Sequence, residues 1–147
     1  MGLTESVKTV LTKKYATFSG RASRSEFWWF QLFYWVVLAV ITFLSAALGG
    51  ALSANSYSRF NYLILIPVGM VILALLIAFI ALQVRRFHDR NLSGWWYLAV
   101  IILSNIPFIG IIAAITIFVI SLLKGTEGSN RFGPDPLRSE TSAEIFA

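Results

Sequence analysis

Two long stretches without a single charge decide what this chain can become. Phe27 to Leu48 spans 22 residues and Tyr62 to Val84 spans 23. At about 1.5 Å of helical rise per residue, each can cross a hydrocarbon core of about 30 Å. In the first, only Gln31, Thr42 and Ser45 are polar. Trp28, Trp29, Tyr34 and Trp35 crowd its first half, as expected of side chains at a membrane–water interface. A cleaved signal peptide is the competing reading. The apolar run is too long for one and follows too long a polar segment. In the second stretch Pro67 and Gly69 mark a kink, and Ala74 and Ala78 form a small-xxx-small pair suited to close helix approach.

Composition agrees. Apolar residues make up 57% of the 147 and charged residues 13%, against roughly 25% charged in soluble domains. Mean hydropathy is +0.74. A chain this small cannot hide so much apolar surface from water, so lipid must cover it.

A third apolar stretch, Trp95 to Leu123, has 29 residues and is interrupted at Asn105-Ile106-Pro107-Phe108-Ile109-Gly110. A straight helix would reach roughly 43 Å, beyond the core. Pro107 removes a donor and Gly110 loosens the chain, so a break near 107–110 is expected. The expected fold is all-α: an integral membrane helical bundle with a broken or re-entrant last apolar segment. It forms a single membrane domain over 1–136, with spans at about 27–48, 62–84 and 95–123. A loop at Gly49–Asn61 joins the first two, and a flexible tail covers 137–147.

Residues 1–26 carry Lys8, Lys13, Lys14, Arg21 and Arg24 against Glu5 and Glu26. Leu3, Val7, Val10, Leu11 and Phe18 recur near helical spacing, which predicts an amphipathic helix on the membrane surface. Ser23-Arg24-Ser25-Glu26 has the form of a capping box. Arg85-Arg86-Phe87-His88-Asp89-Arg90-Asn91 is the densest charge cluster and reads as a loop between spans. Basic residues in short flanking segments face the cytoplasm. That places the N-terminus and the Arg85–Arg90 segment inside and Gly49–Asn61 outside. With the last stretch broken into two arms, the C-terminus is cytoplasmic as well. Glu127 or Asp135 could then pair with an arginine across segments.

Cysteine is absent and His88 is the only histidine. That excludes thiolate chemistry and any multi-histidine metal site within one chain, and no cofactor is expected. His88 beside Asp89 invites a general-base reading. Adjacent side chains seldom face one another, and no nucleophile accompanies them, so an enzyme is not expected. The notable polar groups of the spans are Gln31, Thr42, Ser45, Ser104, Asn105 and Thr116. Their default role is hydrogen bonding between helices.

Four segments carry a resemblance. They are Phe18-Ser-Gly-Arg-Ala-Ser-Arg-Ser-Glu-Phe-Trp-Trp, Arg85-Arg-Phe-His-Asp-Arg-Asn-Leu-Ser-Gly-Trp-Trp, Ile106-Pro-Phe-Ile-Gly and Gly125-Thr-Glu-Gly-Ser-Asn-Arg-Phe-Gly-Pro-Asp-Pro. In this order, over Tyr15 to Pro136, the chain resembles the YhaH/YhaI-type family of small bacterial inner-membrane proteins, a domain of unknown function. The resemblance implies an inner-membrane location and supplies no catalytic residues.

The net charge of +5 suits an anionic membrane surface better than nucleic acid, because the basic residues sit in short blocks beside apolar spans. The candidate contacts to anionic phospholipid headgroups or a partner are Arg21, Arg24, Arg85, Arg86, His88, Asp89, Arg90 and Arg131. The expected function is that of a structural or interaction protein with a basic cytoplasmic face. The alternative is a small transporter or channel subunit acting as a homo-oligomer. Spans without charge favour the first, since ion pathways usually need an ionisable group.

Overall fold

A computed structural model describes residues 1–52 and 59–137, with side chains described outside 48–64. A short helix α1 (Leu3–Lys8) runs into one π-helical turn (Thr9–Lys13). The helices α2 (Arg24–Leu52) and α3 (Arg59–Asp89) follow, then α4 (Gly94–Leu103) and α5 (Ile109–Leu122). The expected loop is therefore narrower than Gly49–Asn61: α2 carries on through Leu52 and α3 starts at Arg59, with 53–58 outside the described residues. Of the expected tail at 137–147, all but Leu137 also lies outside them.

Half of the predicted capping box forms. The Glu26 amide donates to Ser23 Oγ at 3.2 Å, satisfying one of the free donors at the start of α2. The Glu26 side chain does not reach back. It turns instead to Arg85.

The cluster at Arg85–Asn91 is not a loop. Helix α3 continues through Asp89, where Arg86 and His88 suit the negative end of the helix dipole. Its end is a Schellman motif. Leu92 N–H donates to the Phe87 carbonyl at 3.0 Å and Asn91 N–H to the His88 carbonyl at 2.9 Å. Asn91 takes the left-handed conformation (φ 59°) this requires. Ser93 then caps α4, accepting from the Trp95 amide.

Between α4 and α5 the chain turns at Ser104–Phe108, slightly before the expected 107–110. Gly110 serves close approach rather than looseness: a Cβ there would sit 2.5 Å from the Ser104 carbonyl oxygen. The two short helices pack on each other and against α3.

The core lies where α1, α2 and α3 meet. Val10, Ala22, Phe27, Phe30, Tyr34, Leu75, Ala78 and Leu82 form it, with Tyr34 stacked on Phe79 at 4.6 Å. Val7 and Leu11 pack against this cluster, while Leu3 and Phe18 stay exposed. Ala78 is thus used inside the protomer, and Tyr15 donates its hydroxyl to the Ala74 carbonyl at 2.9 Å. Among the described residues, two helices are long and apolar enough to cross a membrane. Only 11% and 22% of their most apolar windows is buried, which separates them from core helices of a soluble protein.

The polar groups expected to link helices mostly do not. Thr42, Ser104, Asn105 and Thr116 each donate to a carbonyl three or four residues earlier in their own chain segment. Such back-bonding lets a short polar side chain face an apolar medium without a partner helix.

Candidate functional site

The buried polar groups gather at one end of the bundle, where Gly20–Glu26, the end of α3 and the segment after α5 meet. Asp89 is the hub. One carboxylate oxygen accepts from Arg21 Nε at 2.9 Å and the other from Arg86 Nη1. Beside it, Glu26 accepts from Arg85 Nη1 at 2.6 Å and, more loosely, from Lys14 at 3.5 Å. Arg21, Glu26, Arg85, Arg86 and Asp89 are all buried. Burying a charge is costly unless it is paired and hydrogen-bonded, and the pairing here offsets part of that cost, while Arg85 Nε and Nη2 stay buried without an acceptor.

The arginine forks do a second job. Arg86 donates to the carbonyls of Ser121, Leu123 and Ala22, and Arg90 to that of Lys124. The carbonyls of Ser121, Leu123 and Lys124 lie at or just past the end of α5, where helical partners run out, and that of Ala22 lies just before α2. Arg21 donates to the carbonyls of Thr126 and Gly128. In return, Thr126 donates its amide to the Asp89 carbonyl at 2.8 Å, and Asn130 its side-chain amide to the His88 carbonyl at 2.9 Å. The excursion from Arg90 through α4 and α5 therefore begins and ends at Asp89. Gly125 passes so near the Asp89 carboxylate that a Cβ would collide with it.

His88 and Asp89 face different partners. His88 Nδ1 lies 3.2 Å from the Gly20 carbonyl, and its ring stacks on Phe132 at 3.9 Å with 4° between planes. Arg131 lies over the other ring, 4.6 Å from the Phe132 centroid, and donates to the Asn91 carbonyl at 3.0 Å. This environment holds the imidazole as a packing element.

Of the eight candidates named from sequence, Arg21, Arg85, Arg86, His88 and Asp89 are buried in this knot. Arg24 and Arg131 are exposed, and Arg90 is half-buried. Glu127 pairs with Lys124 at 2.6 Å, and Asp135 accepts from the Gly128 and Leu137 amides. Sequence reasoning missed Glu26 as an ion-pair partner, having read it only as a helix cap. It also missed Thr126, Asn130 and Phe132. The one available signal was charge: Glu26 is an acid at the mouth of an uncharged span. A polar cleft of about 240 Å³ opens beside the knot, with Arg24, Lys124 and Glu127 among its walls.

The segments that build this knot are the ones that carry the family pattern. Residues 15–134 match the model described as "Protein of unknown function (DUF805)". The chain belongs to the DUF805 family. Its relatives include the inner membrane protein YhaI of Escherichia coli strain K12, 39% identical over 124 residues, covering 84% of this chain and 89% of YhaI. The inner membrane protein YhaH of the same strain is 35% identical over 127 residues, covering 84% of this chain and 90% of YhaH. No solved structure matches this DUF805 chain significantly. With its two long apolar helices, it is a helical inner-membrane protein of a family of unknown function.

Proposed function

We propose that this chain is a membrane-embedded interaction protein, not an enzyme, whose cytoplasmic end contacts anionic phospholipid headgroups. In this reading α2 and α3 cross the bilayer. The hairpin of α4 and α5, with 10 and 14 residues, is about 15 Å and 21 Å long, short of a core of about 30 Å. It enters from the cytoplasmic side and returns there, and both termini are cytoplasmic. The turn between α4 and α5, Ser104–Phe108, is exposed, and its backbone groups are bonded within the hairpin itself: Ser104 and Asn105 donate to the Ile101 carbonyl and the Gly110 amide to that of Ile106.

The observation that carries this reading is the division of labour among the basic residues. Arg21, Arg85 and Arg86 are consumed by internal pairs, which ties three polar segments into one face. Arg24, in the wall of the cleft beside the knot, and Arg131 are exposed there. Exposed Trp95 and Trp96 at the start of α4 lie at the depth where headgroups begin. Each basic group near an anionic surface contributes roughly 1 kcal/mol. The surface is offered to lipid phosphate, not to nucleic acid.

The test is thermal unfolding in neutral nanodiscs and in discs doped with anionic phospholipid. Wild type gains stability from the anionic lipid. Arg24→Gln loses much of that gain while keeping wild-type stability in neutral discs. An equal gain in both proteins would defeat the proposal.

A further inference from the structure

We infer that a cleft between α2, α3, α4 and α5 binds a neutral lipid bearing a free hydroxyl, such as a diacylglycerol. The cleft holds about 570 Å³, within the roughly 300–1,000 Å³ of ordinary ligand sites. Its walls are mostly aromatic and aliphatic, including Trp28, Trp35, Tyr97 and Phe118. Its rim residues Leu32, Trp35 and Phe118 are each at least half exposed, so it opens sideways, towards lipid chains.

Four polar side chains break the apolar lining: Gln31 from α2, Gln83 from α3, Tyr97 from α4 and Ser121 from α5, whose hydroxyl donates to the Ile117 carbonyl. Gln83 is only 4% exposed. The Oε1 atoms of both glutamines are buried without a hydrogen-bond donor. Buried polar atoms normally have partners, and an acceptor left without one is costly in an apolar setting. Four carbonyl-bonding polar side chains elsewhere in the apolar segments solve this within their own helix, and these two do not. No side chain of the cleft supplies the donor in this arrangement, and the space beside the two carboxamides is open to an occupant. In the proposed membrane setting the cleft opens on hydrocarbon, which bulk water does not occupy.

The occupant's chemistry follows from the lining. No charged side chain is present, so a phosphate or ammonium headgroup has nothing to pair with. The unpartnered atoms accept, so the occupant donates, and a hydroxyl does so without carrying charge; its one O–H serves one acceptor, and Gln83 Oε1, on the more buried side chain, takes it. Depth fits as well. Gln83 precedes Arg86 by three residues and Gln31 follows Glu26 by five, about 4.5 Å and 7.5 Å along their helices. The hydroxyl sits just beneath the ionic knot while the acyl chains leave past Trp35 and Phe118. This site is separate from the headgroup contacts proposed above and does not depend on them.

Native mass spectrometry of the full chain in mild detergent tests it, with dioleoylglycerol and its O-methyl ether as probes. The ether keeps both chains and the oxygen but cannot donate. Wild type is expected to retain one dioleoylglycerol, at least about tenfold better than the ether. Gln83→Leu removes an unpartnered group, so its thermal midpoint stays or rises, and its preference for the alcohol disappears. Gln83→Met, which keeps the length of the side chain and removes the acceptor, provides the same test if Gln83→Leu fails to fold. Equal retention of alcohol and ether by wild type would overturn the inference. So would a preference that survives both substitutions, or dimers that cover the cleft and hold no lipid.

Discussion

Asp89 shows how much one carboxylate can hold together. It neutralises Arg21 and Arg86, its own carbonyl anchors Thr126, and Gly125 is fitted against its side chain. Replacing a buried pair with apolar groups is often neutral, but removing one partner strands the other charge. Asp89→Asn strands two guanidinium groups at once. It is expected to cost about 3–5 kcal/mol of stability, read as a large drop in the thermal midpoint in detergent. Lys13→Gln, at an exposed position, should change stability by less than about 0.5 kcal/mol. If the two variants melt together, the knot is not what holds this end of the bundle.

Among the elements, the junction of α3 and α4 is the most locally determined. Asp89 to Gly94 contains a helix stop, a left-handed residue and a new cap within six positions. Asn at the left-handed position is one of the few non-glycine residues that tolerate it. Asn91→Gly keeps the motif and should leave the melting curve nearly unchanged. Asn91→Ala places a Cβ in an unfavourable conformation and should cost about 1–2 kcal/mol. Circular dichroism melts of the two variants separate these outcomes. Equal melts would mean that the stop is imposed by packing from α4 and not by the motif. The residues for this junction, Asn91, Ser93 and Gly94, stand in the sequence, but there they read only as part of the family pattern and not as a helix stop and cap. The charges before it were misread as loop because a dense charge cluster resembles a solvated segment, whereas here tertiary partners neutralise it and the helix runs on.

For the whole molecule, the closed excursion from Asp89 out through the hairpin and back places the start of α2, the end of α3 and the segment after α5 at one end. In the proposed topology α2 and α3 cross and both termini share the cytoplasmic side. A green fluorescent protein fused at the C-terminus should fluoresce, and alkaline phosphatase fused at the same position should be inactive. An active phosphatase would mean an odd number of crossings. The apolar surface outside the knot, with Phe43, Ile66, Met70 and Ile111 each more than 60% exposed, is sized for lipid contact.

The sequence by itself determined the helical class, the two spans, the need for a break in the third apolar stretch and the membership of the family. Those depend on run length, charge spacing and local turn residues, which are properties of neighbours along the chain. The tertiary structure alone decided which charges meet. Arg21 and Asp89 are 68 positions apart, and Glu26 and Arg85 are 59. Nothing local distinguishes an arginine that will be buried against a carboxylate from one that will face lipid phosphate. The same holds for Gln83, which went unremarked among the polar groups of the spans. Whether a carboxamide finds a donor depends on what the helices packed around it leave open, and α4 and α5 leave a cleft.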